Sequence, residues 1–451
     1  MTKKVMLQIA AAALLAAPAV AQEVPQTPPP TYNCDFEPAC EVAPGIYGKM
    51  ASPVTSKFKL SFGGFVKLDY IYNSVNLGPT GGTVPSPGIA ALGTLQPGGI
   101  PKSSSAAGQE DQTLMTARQS RFWIKVDGPA LLGAKTGALI EADFFGAGSG
   151  NEGANLRMRH AYGTIDWKNT QVLFGQSWDS FGPAAASTLD FGQGATTGNP
   201  GSPRVAQIRV TQKVALSENN SLKLIAGVQN PPQDSNTATG AAGETWGGKV
   251  NLAGQAMLVS KALGVAPGFW GLPMNSFTAG FFGLYGNQDV AGNAEMVDSW
   301  GYGFYTFVPV LKSSDGKSRA MTASFEGQTY MAANMAFAHA TAHTLIGPAG
   351  DKSPAKGYGL FGQAIFYPTQ NLGFTAGYGK RSAYDYGSYA GVANFQKYSS
   401  QIFGNVAYDL NAAIRVAVEY QHLKTLYGNN TPGTSDSGTA NIARVAAMYF
   451  F

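Results

Sequence analysis

Arg157 and Arg159 stand two residues apart in the stretch Leu156 to Phe181, LRMRHAYGTIDWKNTQVLFGQSWDSF. Alternate residues of a strand point the same way, so both guanidinium groups share a face with Ala161 and Gly163, and Leu156, Met158, His160 and Tyr162 take the other. Neighbouring segments carry charge at even spacings, which also keep one face of a strand: Arg121 and Lys125, then Glu141 and Asp143, with Arg209 further on. The order is basic, acidic, basic. Such a set can do two kinds of work. Clusters of Arg and Lys select anions in pores, and opposite charges on adjacent strands pair and brace a sheet. Both readings stay open at this stage, and either requires a face that meets water.

Other chemistry is poorly served. The four histidines, His160, His339, His343 and His422, stand in separate contexts without an obvious serine and acid beside them, so no enzyme is expected. His339 and His343 are spaced i, i+4, which converges on one face only in a helix, and no metal site is expected. Cys-x-x-Cys-His is absent, which removes covalent haem attachment, and no cofactor is called for. Cys34 and Cys40, in NCDFEPAC, suit a small local disulfide in an oxidising compartment.

The elements that position the charges read as strands. Charged residues make up 13% of the 451, against roughly 25% in soluble proteins, and the 57 glycines exceed the usual share of about 7%. In SKFKLSFGGFVKLDYIYN, Phe58, Leu60, Phe62, Gly64, Val66, Leu68, Tyr70 and Tyr72 alternate with Lys57, Lys59, Ser61, Gly63, Phe65, Lys67 and Asp69. That run is far longer than the five or six residues of an ordinary strand and suits a tilted membrane strand. After a Gly/Pro/Ser-rich loop reaching about Met115, strands follow at Ala117 to Asp127, Gly137 to Phe145 and the two halves of Leu156 to Phe181. Eleven more run to Phe451: Arg204 to Ala215, Ser221 to Asn230, Trp246 to Val259, Ser276 to Tyr285, Val297 to Leu311, Ala320 to Met331, Lys356 to Tyr367, Leu372 to Arg381, Tyr398 to Leu410, Ile414 to Tyr427 and Gly438 to Phe451. Sixteen strands, with short turns such as Trp167 to Thr170 interleaved with long polar loops, predict an all-β, transmembrane antiparallel barrel spanning residues 57–451.

Met1 to Ala21 has Lys3 and Lys4, an apolar run and Ala19-Val20-Ala21, the pattern of a cleaved signal peptide, and Gln22 to Ser56 reads as a Pro-rich periplasmic extension. Without the two lysines, 31 Lys and Arg fall to 29 against 27 acids, a balance too even for a nucleic-acid partner. An alternating last strand closing on aromatic Phe451 looks like the signal read by the outer-membrane barrel assembly machinery, and places the chain in a bacterial outer membrane. Lipid cannot satisfy an open sheet edge, so the strands must close. Sixteen strands enclose a wet lumen, and the charged face then lines it. The loop Asp179 to Arg204, rich in small residues, could fold inward and set Asp179 and Asp190 against the arginines, or lie outside. Lys67, Glu326, Arg381, Arg415, Glu419 and Arg444 are further inward candidates; His160 and His422 fall on the lipid side.

Four motifs, Arg118-Gln-Ser-Arg121-Phe, Glu141-Ala-Asp-Phe-Phe145, Leu156-Arg-Met-Arg-His-Ala-Tyr-Gly163 and Phe174-Gly-Gln-Ser-Trp178-Asp-Ser-Phe181, together resemble the DcaP-like trimeric outer-membrane porins over roughly Phe58 to Phe181. The resemblance implies a homotrimer in outer-membrane lipid, passing small anionic solutes such as dicarboxylates, with Arg121, Arg157 and Arg159 near the constriction. It departs from the family at residues 22–56, which carry prolines and a Cys pair in place of the heptads of an N-terminal coiled coil. The expected function is a passive diffusion channel for small hydrophilic solutes with anion preference. The competing reading is a plugged structural or adhesin-type barrel.

Overall fold

The computed structural model describes residues 58–77, 100–146, 153–190, 198–199, 204–230, 250–289, 296–333, 356–385 and 393–451. The expected signal peptide, the expected Pro-rich extension with Cys34 and Cys40, and His339 and His343 lie outside the described residues. The strands are β1 (Lys59–Asn73), β2 (Gln112–Thr116), β3 (Arg121–Leu131), β4 (Ala134–Gly146), β5 (Asn155–Asp166), β6 (Thr170–Trp178), β7 (Arg204–Ala215), β8 (Asn220–Gln229) and β9 (Asn251–Pro267). They continue as β10 (Met274–Asp289), β11 (Met296–Leu311), β12 (Thr322–Ala333), β13 (Lys356–Tyr367), β14 (Leu372–Asp385), β15 (Phe395–Asp409), β16 (Ile414–Gly428) and β17 (Ser437–Phe450).

From β3 to β17 each strand pairs antiparallel with its sequence neighbour, and β1 pairs with β17 to close the sheet. Seventeen segments occupy sixteen wall positions, because β2 and β3 share one: β1 pairs with β3 at Lys59–Phe65 and with β2 at Asp69–Asn73. The expected single strand Ala117 to Asp127 is therefore corrected. It breaks at residues 117–120, where Ser120 N–H bonds back to the Ala117 carbonyl and Ser120 Oγ accepts the Lys67 N–H. The break turns Arg118 and Gln119 into the molecule. Of the strand expected at Trp246 to Val259, residues 246–249 lie outside the described residues, and the described strand runs from Asn251 past Val259 to Pro267.

Burial is inverted relative to a soluble protein. Lys67 and Asp69 on β1 are 0% exposed, whereas Val66 and Leu68, alternating with them, are 54% and 46% exposed. Ile140, Phe174, Ile208, Phe281 and Ile402 are likewise exposed, and Arg209, Gln363, Gln401 and Arg444 are buried. Water would penalise such an outside and lipid favours it, while a charged inside needs partners or water. Short turns gather at one end: Trp167 N–H bonds to the Thr170 carbonyl, Leu216 and Ser217 to Asn220, and Leu410 to Ile414. The same end holds Phe451, whose N–H and carbonyl pair with Gly64 at 3.1 and 3.0 Å and whose ring lies 5.5 Å from that of Phe62.

Candidate functional site

The arginines of interest sit on the alternate strands β3, β5 and β7, with Arg121, Arg159 and Arg209 buried, Arg157 part-exposed and the acids of β4 between β3 and β5. Arg157 holds Asp143 with two parallel bonds, Nε–Oδ1 at 3.0 Å and Nη2–Oδ2 at 2.6 Å. Arg159 reaches Glu141 Oε1 with Nε at 2.5 Å and Asp143 Oδ2 with Nη1 at 2.8 Å. Arg121 lies 3.5 Å from Glu141 and over the Phe65 ring. Arg209 donates to the Trp178 carbonyl at 3.3 Å, and Arg204 stacks on the Trp178 ring at 4.5 Å. Arg118 donates to the carbonyls of Phe144 and Gly146. Lys125 shares their face at a wider, wetter level, where it and Asp127 are about half exposed.

Strand alternation alone does not produce this arrangement. In the β4–β5 register Ala142 opposes Met158 and Glu141 opposes His160, so Arg159 is an extra residue, a β-bulge. From the bulge onward the parity of β5 flips. His160, expected on the lipid side, is buried, and its ring packs edge-on against Trp178 and Tyr162. The carbonyls of Met158 and Arg159 left aside by the bulge accept from Gln176 Nε2. Two consecutive residues thereby turn inward where a regular strand would offer one. His422 keeps its outward position beside Asn441.

The loop after β6 is the second component. Residues 179–190 are buried throughout, Asp179 and Asp190 included. The loop follows the inside of the wall from β8 round to β1, held by one polar side chain after another. Gln255 donates to the Ser180 carbonyl at 2.9 Å, and Gln328 accepts the Ala184 N–H at 3.2 Å. Gln363 bonds both the Ala185 carbonyl at 2.8 Å and the Ser187 N–H at 2.9 Å. Asn405 donates to Ser187 at 2.6 Å, and Glu419 accepts the Leu189 N–H at 2.7 Å. Lys67, between Asp69 and Gln119, donates to the Leu189 carbonyl at 2.7 Å. Asp190 bonds Gln119 and lies 3.5 Å from Arg444. The arginine that Asp190 meets is thus on β17, whereas Arg157 and Arg159 bond the acids of β4.

Beneath the loop an apolar mass containing Phe181, Phe282, Tyr305, Phe307, Phe361 and Phe403 fills the side of the barrel built by β10 to β15. Among the expected inward residues, Lys67, Glu419 and Arg444 prove to anchor the loop. Glu326 bonds Gln363 and Tyr305, and Arg415 bonds Asp409. Sequence reasoning missed the belt of amides, Gln255, Gln328, Gln363 and Asn405. Their signal was an inward Gln or Asn recurring near mid-strand, which is weak taken one strand at a time.

No family model matches the sequence, and no curated protein matches it. Solved structures do. The outer membrane channel DcaP of Acinetobacter baumannii aligns with a TM-score of 0.65 at 20% identity, over 89% of this chain and 99% of that one. The anion-selective porin from Comamonas acidovorans aligns with a TM-score of 0.52 at 10% identity, over 87% and 100%. Identities this low speak for architecture. The closed barrel of sixteen antiparallel wall positions is the fold of the outer-membrane porins, and the likeness to the DcaP channel is a likeness of fold.

Proposed function

We propose that the protein is an outer-membrane diffusion channel for small hydrophilic solutes, anions preferred and small dicarboxylates among them, working as a homotrimer. The observation that carries this reading is the charge of one wall. Arg118, Arg121, Arg159 and Arg209 are buried there with Arg157 and Arg204 beside them, against Glu141 and Asp143 as the buried acids on β3 to β7 among the described residues. The acids fix the arginines in place, and the surplus leaves the wall positive. Two unit charges about 4 Å apart interact by about 1 kcal/mol in water but about 4 kcal/mol at an effective dielectric near 20, so a solute squeezed against this wall is sorted by sign. Guanidinium groups also suit carboxylates in geometry, offering a planar pair of donors. The loop packed on the opposite side confines solutes to the arginine side. The fold likeness to an anion-selective porin agrees with this.

A second reading has its own support. The paired bonds from Arg157 and Arg159 to Glu141 and Asp143 would brace the barrel even without selecting anything, as a plugged structural barrel requires. Reversal potentials across planar bilayers separate the two. Anion preference should fall in an Arg157→Gln, Arg159→Gln double variant, and unchanged potentials would leave these arginines with bracing alone.

A further inference from the structure

One turn at the short-turn end behaves unlike the rest. Leu132, Leu216 and Leu410, in three other turns at that end, are 86%, 59% and 41% exposed, but Trp270, in the turn between β9 and β10, is 2% exposed. Phe269, Trp270 and Gly271 form a single 3-10 turn tucked inside the barrel. Trp270 has φ +51°, as Leu132 has +50° in its exposed turn, so what sets Trp270 apart is its surroundings. Those surroundings are specific. The Trp270 N–H donates to Ser187 Oγ of the inward loop at 3.2 Å, and its carbonyl accepts from Arg415 Nη1 at 3.1 Å. Arg415 is itself fixed by Asp409 through Nε at 2.5 Å and Nη2 at 2.9 Å, and Asp409 also holds Arg319 at 2.9 Å. Phe269 and Trp270 share one apolar cluster with Ala185 and Leu189 of the loop. At Gly271, with φ +83°, a Cβ would fall 2.3 Å from the Tyr367 hydroxyl, so only glycine lets the turn lie this close to the wall.

We propose that this turn is a fixed strut. It props the inward loop from the short-turn end, holds it at the setting that narrows the lumen, and makes Trp270 a determinant of the size of solute admitted, independent of the arginines that sort by charge. Trp270 is a positioning residue here, acting through Ser187, Ala185 and Leu189. The size claim rests on the channel reading; the propping claim does not.

The test uses the full-length barrel in two assays. Hydrogen exchange by mass spectrometry on a Trp270→Ala variant should be at least about tenfold faster over residues 180–190 with β3 to β5 unchanged. Its single-channel conductance should rise roughly twofold at an unaltered reversal potential, and Trp270→Phe should restore both. Should Trp270→Ala fail to give a folded barrel, Trp270→Leu keeps apolar bulk and loses the ring, and it is expected to shift both readouts the same way. Wild-type exchange over 180–190 in a folded variant overturns the strut. Faster exchange at wild-type conductance overturns the size role alone. A wild-type protein without conductance overturns the channel reading, and the exchange result still decides the strut.

Discussion

Arg157 and Arg159 share a face, a network and two acidic partners, yet their exposure separates their work. The Arg159 side chain is 0% exposed and that of Arg157 is 25% exposed. A fully buried guanidinium spends its donors on the wall, whereas a partly wet one can offer charge to a passing solute. Removing one partner of a buried pair costs about 3–5 kcal/mol, because the other charge is left unpaired. Arg159→Gln should therefore lower the urea midpoint of unfolding markedly. Arg157→Gln should lower it less and reduce anion selectivity more, a split that combined stability and bilayer measurements would expose. Asp143→Asn should act in the opposite sense on selectivity, raising anion preference while loosening Arg157. Lys125, half exposed beside Asp127, is screened by solvent and should change neither quantity appreciably.

At the scale of the element, two irregularities build the site: the bulge at Arg159 and the loop that turns inward after Trp178. The loop depends on the amide belt, and Gln363 is its most economical member, accepting from one loop peptide and donating to another. Gln363→Leu removes two loop bonds of about 1 kcal/mol each, together with the bond to Glu326. It should raise proteolytic nicking within residues 180–190 without melting the barrel, and a loop as resistant as wild type would show that the belt does not hold it. These elements also mark the limit of what the sequence reveals. Alternation along β1 and β17 was legible because every second residue reports the same face. The bulge was not, since one extra residue leaves no trace in composition, yet it reverses the parity of everything after it; His160 was assigned to lipid for that reason. The break at 117–120 was hidden for a similar reason, its cause being the bond between Ser120 and Lys67, fifty-three positions away. Nor did the segment around Trp270 declare itself, because its partners lie on the distant loop and on β16.

For the whole molecule, the inverted burial and the closure of β1 on β17 argue for a barrel in lipid, and its interior is divided. One side is packed with the loop, the Trp270 turn and the aromatic mass beneath them, and the other is the arginine wall. Stiffness follows from that division. Every loop peptide bonded to the wall must lose its bond before the loop can swing, so conduction at moderate voltage should be steady, with little flicker, and Lys67→Met should introduce flicker by freeing the Leu189 carbonyl. Residues rich in charge were visible in the sequence as a set. Their division between anchoring the loop, as for Lys67, Glu419 and Arg444, and facing a solute, as for Arg157, was not, because it depends on which of them the loop reaches.

The proposed anion preference rests on the surplus of arginine over acid on the β3 to β7 wall. The most direct measurement is the zero-current potential of the wild-type protein in a planar bilayer across a potassium chloride gradient, repeated with a small dicarboxylate as competing anion. An anion-preferring channel should give measurable conductance, a potential of the sign given by anion flow, and a fall in chloride current as the dicarboxylate occupies the arginine side. A potential of the opposite sign, or a folded barrel that does not conduct, would contradict it.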